Sequence, residues 1–377
     1  MKILIEGWRG ISHSYSIVNQ FQIIELLKNP EFSLYHKDID FYNSDWSEKK
    51  NFCGFSDELS NKILSLKNYS DDESSLDVVY RISFPYNLNQ AYSKKLFVFG
   101  TSEFQNIDNS FFVKALTRSE ISFNNSKIVT PSNWSKQGFL NYGFREEDVL
   151  VIPHGIDPSI FNRVDLSRRQ QFRKALGVEK SDFLIGSIGA MTWNKGIDVL
   201  LRSFSHLSDK YPHVKLLLKD QSSLYGIKAK SLVLEALKEV DELKKVKLLS
   251  RIICLSSNIT FSQLNGIYSA CDCYVSPYRG EGFNMTPLEA AASGTPIIIT
   301  NGGSTDDYFD SSFALKIESR LVKEKTMTYL EPSFESLIVS ISNIVESKVN
   351  FDFNIAKSFI HKNFTWDVVT KNLVKHF

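Results

Sequence analysis

At roughly 100–200 residues per domain, a chain of 377 residues asks for two domains of similar size. Its 44 Lys and Arg face 43 Asp and Glu, and a net charge of +1 gives no global field for holding nucleic acid or an anionic membrane. With 42% hydrophobic residues and 28 Phe the chain has ample core, which excludes wholesale disorder.

The opening apolar run, Ile3-Leu4-Ile5, is far shorter than the roughly 7–15 residues of a secretion signal. Nowhere does an uncharged apolar stretch reach about 18 residues, so no transmembrane segment is expected and the chain reads as cytoplasmic. Peripheral contact with the inner face of a membrane stays open, although Lys94-Lys95 and Lys244-Lys245 read as ordinary solvated charges.

The first strand runs into a loop, Gly7-Trp8-Arg9-Gly10, and residues 16–28 follow with apolar positions at Ile17, Val18, Phe21, Ile24 and Leu27, the spacing of an amphipathic helix. Strand, glycine loop and helix open a doubly wound α/β domain. Residues 44–75 are polar and weakly periodic and read as loop and short helix. Strand-like runs return at 78–80, 96–99, 127–130 and 149–152. Turn formers then concentrate in Pro153-His154-Gly155-Ile156-Asp157-Pro158, which places a boundary near residues 153–165.

A second alternation begins with a helix at 167–176 and a strand at 183–186, followed by a loop from Gly189 to Gly196. The next helix carries Ile197, Leu200, Leu201, Phe204 and Leu207. A strand at 214–218 precedes one long helix over 228–249 with Val233, Leu237, Val240 and Leu243 inward, and short strands follow at 272–276 and 296–300. Of the four cysteines, Cys53 and Cys254 stand apart, while Cys271 and Cys273 are expected on one side of a strand, as buried thiols or half of a zinc site. Two such α/β halves imply an interdomain cleft for a small ligand.

The richest segment is Arg279-Gly280-Glu281-Gly282-Phe283-Asn284-Met285-Thr286-Pro287-Leu288-Glu289. Thr286, Pro287 and Glu289 spell a capping box with Thr286 as N-cap, which would make Glu289 a helix cap. Glu281, between two glycines, caps nothing. Free N–H groups at Asn284, Met285 and Thr286 would form an anion site at the helix start. A diphosphate there would have one carboxylate near each end of a nucleotide sugar.

Glu281 to Glu289 resembles the E-x7-E motif of the retaining family 4 glycosyltransferases. Val151 to Asp157 with Phe161-Asn162 looks like that family's interdomain passage, and Gly189 to Lys195-Gly196-Ile197-Asp198 like its phosphate loop. Gly302-Gly303 and Phe364-Thr365-Trp366 are similar to its later landmarks. The likeness covers residues 128–377 in the family's order. It implies an α/β chain of GT-B fold, two facing Rossmann-like doubly wound domains with an interdomain cleft. An acceptor-side domain would span 1–155 and a donor domain 166–363, with a terminal helix at about 364–377 returning to the first.

By the same likeness Glu281 would bind the transferred sugar, Glu289 the ribose, and Lys195 the leaving diphosphate, with Gly189, Gly282, Phe283, Asn284, Met285 and Thr286 lining the donor site. The family often has an arginine where Ala190 stands; Lys219, at a strand end, either replaces it or is a surface lysine. In the first half Gly10, His13, Glu103 and Arg118 are the acceptor-side candidates, since Phe99 to Glu103 lacks the family's histidine. The implied reaction moves a sugar from a UDP- or GDP-sugar to a glycan or other hydroxyl acceptor, with retention, no metal and no other cofactor. Asp38-Ile39-Asp40, just before strand-like Phe41-Tyr42, spells the D-x-D of metal-dependent GT-A enzymes, but the rest of that fold is missing. A non-catalytic nucleotide-sugar binder and a GT-B phosphorylase or epimerase are the alternatives. Gly7-Trp8-Arg9-Gly10 lacks the G-x-G-x-x-G spacing of a dinucleotide dehydrogenase.

Overall fold

The computed structural model describes residues 1–47, 54–67, 69, 75–89, 91, 93–117 and 126–377. The chain divides into two compact units, Met1–Gly155 with Lys325–Met327 and Asn363–Phe377, and Ile156–Glu324 with Thr328–Lys362.

The first unit is built on strands β1 (Lys2–Gly7), β2 (Ser33–Asp38), β3 (Val78–Ile82), β4 (Lys95–Phe99), β5 (Ser126–Thr130) and β6 (Val149–Val151). They pair in parallel in the order β2-β1-β3-β4-β5-β6. Central β1 and β3 are almost wholly buried and read as apolar runs, as strands covered on both faces must. Strand β2 lies at the edge with only His36 buried, and its polar sequence hides it from a hydrophobic pattern. Phe41-Tyr42, expected as a strand, is not one.

Helix Ser14–Leu26 follows β1. Helix Trp366–Val374 starts from Thr365, whose hydroxyl accepts from the Val368 N–H. The Trp366 ring lies parallel to Phe21 with centroids 5.1 Å apart, and Lys95 Nζ donates to the backbone carbonyl of His376. Gly155 packs so closely on Thr365 and Trp366 that a Cβ there would overlap their backbone.

The second unit has β7 (Phe183–Ile188), β8 (Val214–Lys219), β9 (Ile252–Leu255), β10 (Cys273–Ser276), β11 (Ile297–Thr300) and β12 (Ala314–Ile317), all parallel, in the order β12-β11-β10-β7-β8-β9. A separate antiparallel hairpin pairs β13 (Ser319–Lys323) with β14 (Thr328–Pro332). The strand order reverses between β7 and β10, so the loops leaving their carboxyl ends flank the crevice where open α/β sheets bind ligands.

Two expectations fail here for plain reasons. Residues 228–249 are two helices, Ala229–Ala236 and Glu242–Leu249, because Asp241 caps a new helix by accepting from the N–H groups of Leu243 and Lys244. The break turns Leu243 outward to 85% exposure. Cys271 and Cys273 do not share a side either. Cys271 ends helix Phe261–Ala270 and packs with Leu184 and Leu217, whereas Cys273 is in β10 with Ile185 and Leu216, on the opposite face of the sheet. Both are free thiols whose pKa burial raises; Cys53 lies outside the described residues. Among the described residues no helix is long and apolar enough to cross a membrane.

Candidate functional site

The loop after β7 and the loop after β10 meet at the sheet's reversal point. The first makes a turn at Trp193–Lys195 and enters helix Ile197–Lys210 through Gly196, which has φ 66°. Only glycine fits: φ is left-handed, and a Cβ would overlap the carbonyl oxygen of Pro277. The second loop carries Glu281. Arg279 N donates to Asn194 O at 2.7 Å and Asn194 Nδ2 to Gly280 O at 3.1 Å, so Asn194 stitches the two loops through both its backbone and its side chain. Lys195 Nζ then forms an ion pair with Glu281 Oε1, the carboxylate side chain being nearly buried and the lysine a quarter exposed.

Past Glu281, Gly282 and Phe283 lead into helix Met285–Ala292; Phe283 is buried, its ring 5.2 Å from that of Tyr308. Asn284 is the N-cap, at φ 67°, in place of Thr286. Its left-handed backbone is anchored on both sides: Asn284 Nδ2 donates to Ser276 Oγ at 2.9 Å, and Tyr308 Oη donates to Asn284 O at 2.8 Å. Thr286 is the second helical residue, and its hydroxyl accepts from Tyr274 Oη at 2.8 Å. The expected capping box is therefore absent, and Glu289 lies too far into the helix to cap it. What remains at the helix start are the N–H groups of Met285 and Thr286, which have no carbonyl four residues back within the helix, and the positive end of its dipole.

Glu289 is buried and accepts from Tyr268 Oη at 2.8 Å. Desolvation lifts its pKa to about 7, against the pull of the Tyr268 bond. Burial also raises the pKa values of Tyr268, Tyr274 and Tyr308, leaving all three as neutral donors. Tyr268 and Tyr274 meet edge to face at 5.5 Å, so one aromatic chain supports both Glu289 and Thr286.

Lys219 is not a surface lysine. It is buried at the end of β8, where Nζ donates to Asp220 O at 2.6 Å and to Gln221 Oε1 at 3.3 Å, with no ion pair among the described residues. Desolvation lowers its pKa. Gly189, at φ 149° with open space where a Cβ would stand, donates its N–H to Lys219 O at 3.0 Å, which sets Lys219 beside the start of the Lys195 loop.

In the first unit Gly10, at φ 78°, donates to Gln20 Oε1 at 3.2 Å. His13 caps helix Ser14–Leu26: its Nδ1 accepts from Tyr15 N at 3.2 Å, and its ring packs on Trp8 and Trp46. Burial lowers its pKa to about 4, so it is neutral. Glu103 is exposed on the loop after β4, which is tied to helix Ser14–Leu26 through Tyr15, whose Oη is 3.2 Å from Thr101 Oγ1. Arg118 lies outside the described residues. Asp38, the first aspartate of the D-x-D, is committed at a strand end to Arg9, which grips both its oxygens, and to His36.

Lys195 and Glu281 are thus in contact, and Asn284 caps the helix that holds Met285, Thr286 and Glu289. The sequence reading gave no role to Tyr268, Tyr274, Tyr308 or Arg279. Arg279 stands two residues before Glu281 in the most informative segment, and only its neighbours in space reveal what it does.

Residues 168–325 match the family model of glycosyl transferases group 1. Mannosylfructose-phosphate synthase of Agrobacterium fabrum is 32% identical over 163 residues, which cover 43% of this chain and 35% of that protein. The match thus spans about a third of that relative's length. A glycosyltransferase from Rickettsia africae superposes with a TM-score of 0.72 at 17% identity, covering 100% of this chain and 97% of the other. HepE of Anabaena, solved in complex with UDP-glucose, gives 0.67 at 14% identity, covering 100% and 99%. The fold is GT-B, and residues 168–325, which hold the Lys195–Glu281 pair and Glu289, match the model of glycosyl transferases group 1.

Proposed function

We propose that this chain transfers a sugar from a nucleoside diphosphate sugar to a hydroxyl acceptor, with retention of configuration. The observation that carries the proposal is the convergence of Lys195, Glu281 and the start of helix Met285–Ala292 at the sheet's reversal point. A leaving diphosphate needs preorganised positive charge, and a lysine beside a helix N-terminus supplies it. In this role no metal or other cofactor is required.

Glu281 would hold hydroxyls of the transferred sugar and Glu289 those of the ribose. Lys219, a buried cation beside Gly189, would add the charge missing at Ala190. The acceptor, a glycan or another hydroxyl compound, would be met by the first unit, where Gly10, His13, Glu103 and Arg118 are the candidates. The UDP-glucose bound to HepE supports a nucleotide-sugar donor, and the group 1 match supports the transfer. Surface polysaccharide or glycoconjugate synthesis is the pathway class proposed, with any membrane contact peripheral.

Thermal-shift screening against UDP, GDP, ADP and their sugars, followed by donor hydrolysis with the stabilising sugar, tests the reading. Stabilisation by one nucleotide and turnover that depends on Lys195 are expected. Binding without turnover would leave a nucleotide-sugar binder, dependence on free phosphate a phosphorylase, and silence toward all three nucleotides would end the proposal.

A further inference from the structure

Arg279 is 4% exposed, and all five of its guanidinium N–H groups are taken. Nε and Nη2 donate to the two oxygens of Glu331 on β14, both at 2.9 Å. Nη1 and Nη2 donate to the two oxygens of Asp198, both at 2.8 Å, in the first turn of helix Ile197–Lys210. Nη1 also reaches Trp193 O at 3.0 Å, and the Trp193 ring covers the guanidinium at 4.8 Å. Its own backbone donates to Asn194 and accepts from Leu330 N at 2.8 Å. One side chain therefore ties together the turn that ends in Lys195, the helix that follows it, the loop that leads to Glu281, and the hairpin. With every donor used, it has none left for a ligand.

We infer that Arg279 is a positioning residue for the Lys195–Glu281 pair, fixing the separation of the two loops so that the ammonium and the carboxylate stand where a donor substrate needs them. The inference rests on the transferase reading of that pair. Lysine cannot replace the arginine, because a point charge with three rotatable donors cannot make two forked contacts in one plane.

The test is a double-mutant cycle on donor hydrolysis. Arg279→Lys is expected to lower kcat by about 100-fold, the order that an ångström of misplacement costs. On the Lys195→Ala background the same change is expected to cost less than about threefold, because one half of the pair whose separation Arg279 fixes is gone. Should Arg279→Lys fail to fold, Asp198→Asn and Glu331→Gln weaken one fork each and keep the arginine; each is expected to lose activity on the native background and not on Lys195→Ala. Equal losses on both backgrounds would overturn the inference, since a merely structural ion cluster acts regardless of Lys195. An unmutated protein that hydrolyses no UDP-, GDP- or ADP-sugar would instead overturn the transferase reading, and the positioning role with it.

Discussion

Lys195 and Glu281, 86 positions apart in the sequence, neutralise each other in an ion pair. On the proposed reading, a donor entering this site would exchange that contact for two new ones, diphosphate on the lysine and sugar hydroxyls on the carboxylate. Nucleotide and sugar would then draw on opposite halves of one ion pair.

That exchange predicts opposite effects of one mutation. In Glu281→Gln the lysine has no carboxylate to leave, so UDP or the cognate nucleoside diphosphate should bind several-fold more tightly by calorimetry, while sugar turnover falls. Lys195→Ala should weaken the diphosphate and cut turnover by roughly 100- to 1,000-fold, the usual effect of deleting a preorganised charge. Tighter binding absent from Glu281→Gln would mean that the pair does not compete with the ligand.

Glu289 predicts a pH dependence. Its native pKa of about 7 exceeds the unperturbed 4.5, so between those values the native state binds the proton that the unfolded state has released. Stability should fall as pH rises through this window, by an amount on the order of 3 kcal/mol once the group is ionised. Glu289→Gln, which keeps an acceptor for Tyr268, should be more stable than the parent above pH about 7 and equal to it below 4.5 in denaturant titrations. Nucleotide affinity should show the reverse sign: ribose hydroxyls donate to a carboxylate, so binding should strengthen as pH rises through about 7 in the parent and stay flat in the variant.

Lys219 sets stability against binding. Burial lowers its pKa below 10.5, so the unfolded state holds its proton more firmly and stability rises as pH climbs toward 10.5. Lys219→Met should stabilise the protein by about 1–2 kcal/mol at neutral pH, a gain that fades at high pH. If the cation serves the diphosphate, the same variant should lose at least tenfold in nucleotide affinity. Stabilisation with unchanged affinity would return Lys219 to a structural role.

Gly196→Ala should cost about 2–4 kcal/mol, combining the left-handed backbone with a Cβ forced onto the Pro277 carbonyl. The thermal midpoint measures it. Activity should fall further than stability alone explains, because the displaced residue precedes the helix and follows Lys195.

The parts of the site that lie close in sequence were legible there. Lys195-Gly196, Glu281 and Glu289 stand at fixed spacings in short loops and one helix. Most of what failed was decided at a distance. Thr286-Pro287-Leu288-Glu289 carries the letters of a capping box, yet Ser276 and Tyr308 anchor Asn284 in a left-handed turn and start the helix earlier. Tyr268 reaches Glu289 across 21 positions and Arg279 reaches Glu331 across 52, separations at which no local pattern exists. Strand β2 was missed because an edge strand needs no apolar alternation, and Leu243 was misplaced because one aspartate restarted its helix.

The contact of Gly155 with Thr365 and Trp366 has a further consequence, for the order of events during synthesis. The first unit takes its last helix from residues 363–377, so its six strands emerge long before the Trp366 ring that covers Phe21. At 5–20 residues per second that interval is on the order of ten seconds or more, during which Phe21 can pack on Phe55 but lacks its Trp366 cover. The second unit, by contrast, has its whole sequence by residue 362. Of the two, the unit that begins first is finished last, and a premature stop after residue 362 would harm the early half of the protein while sparing the late one.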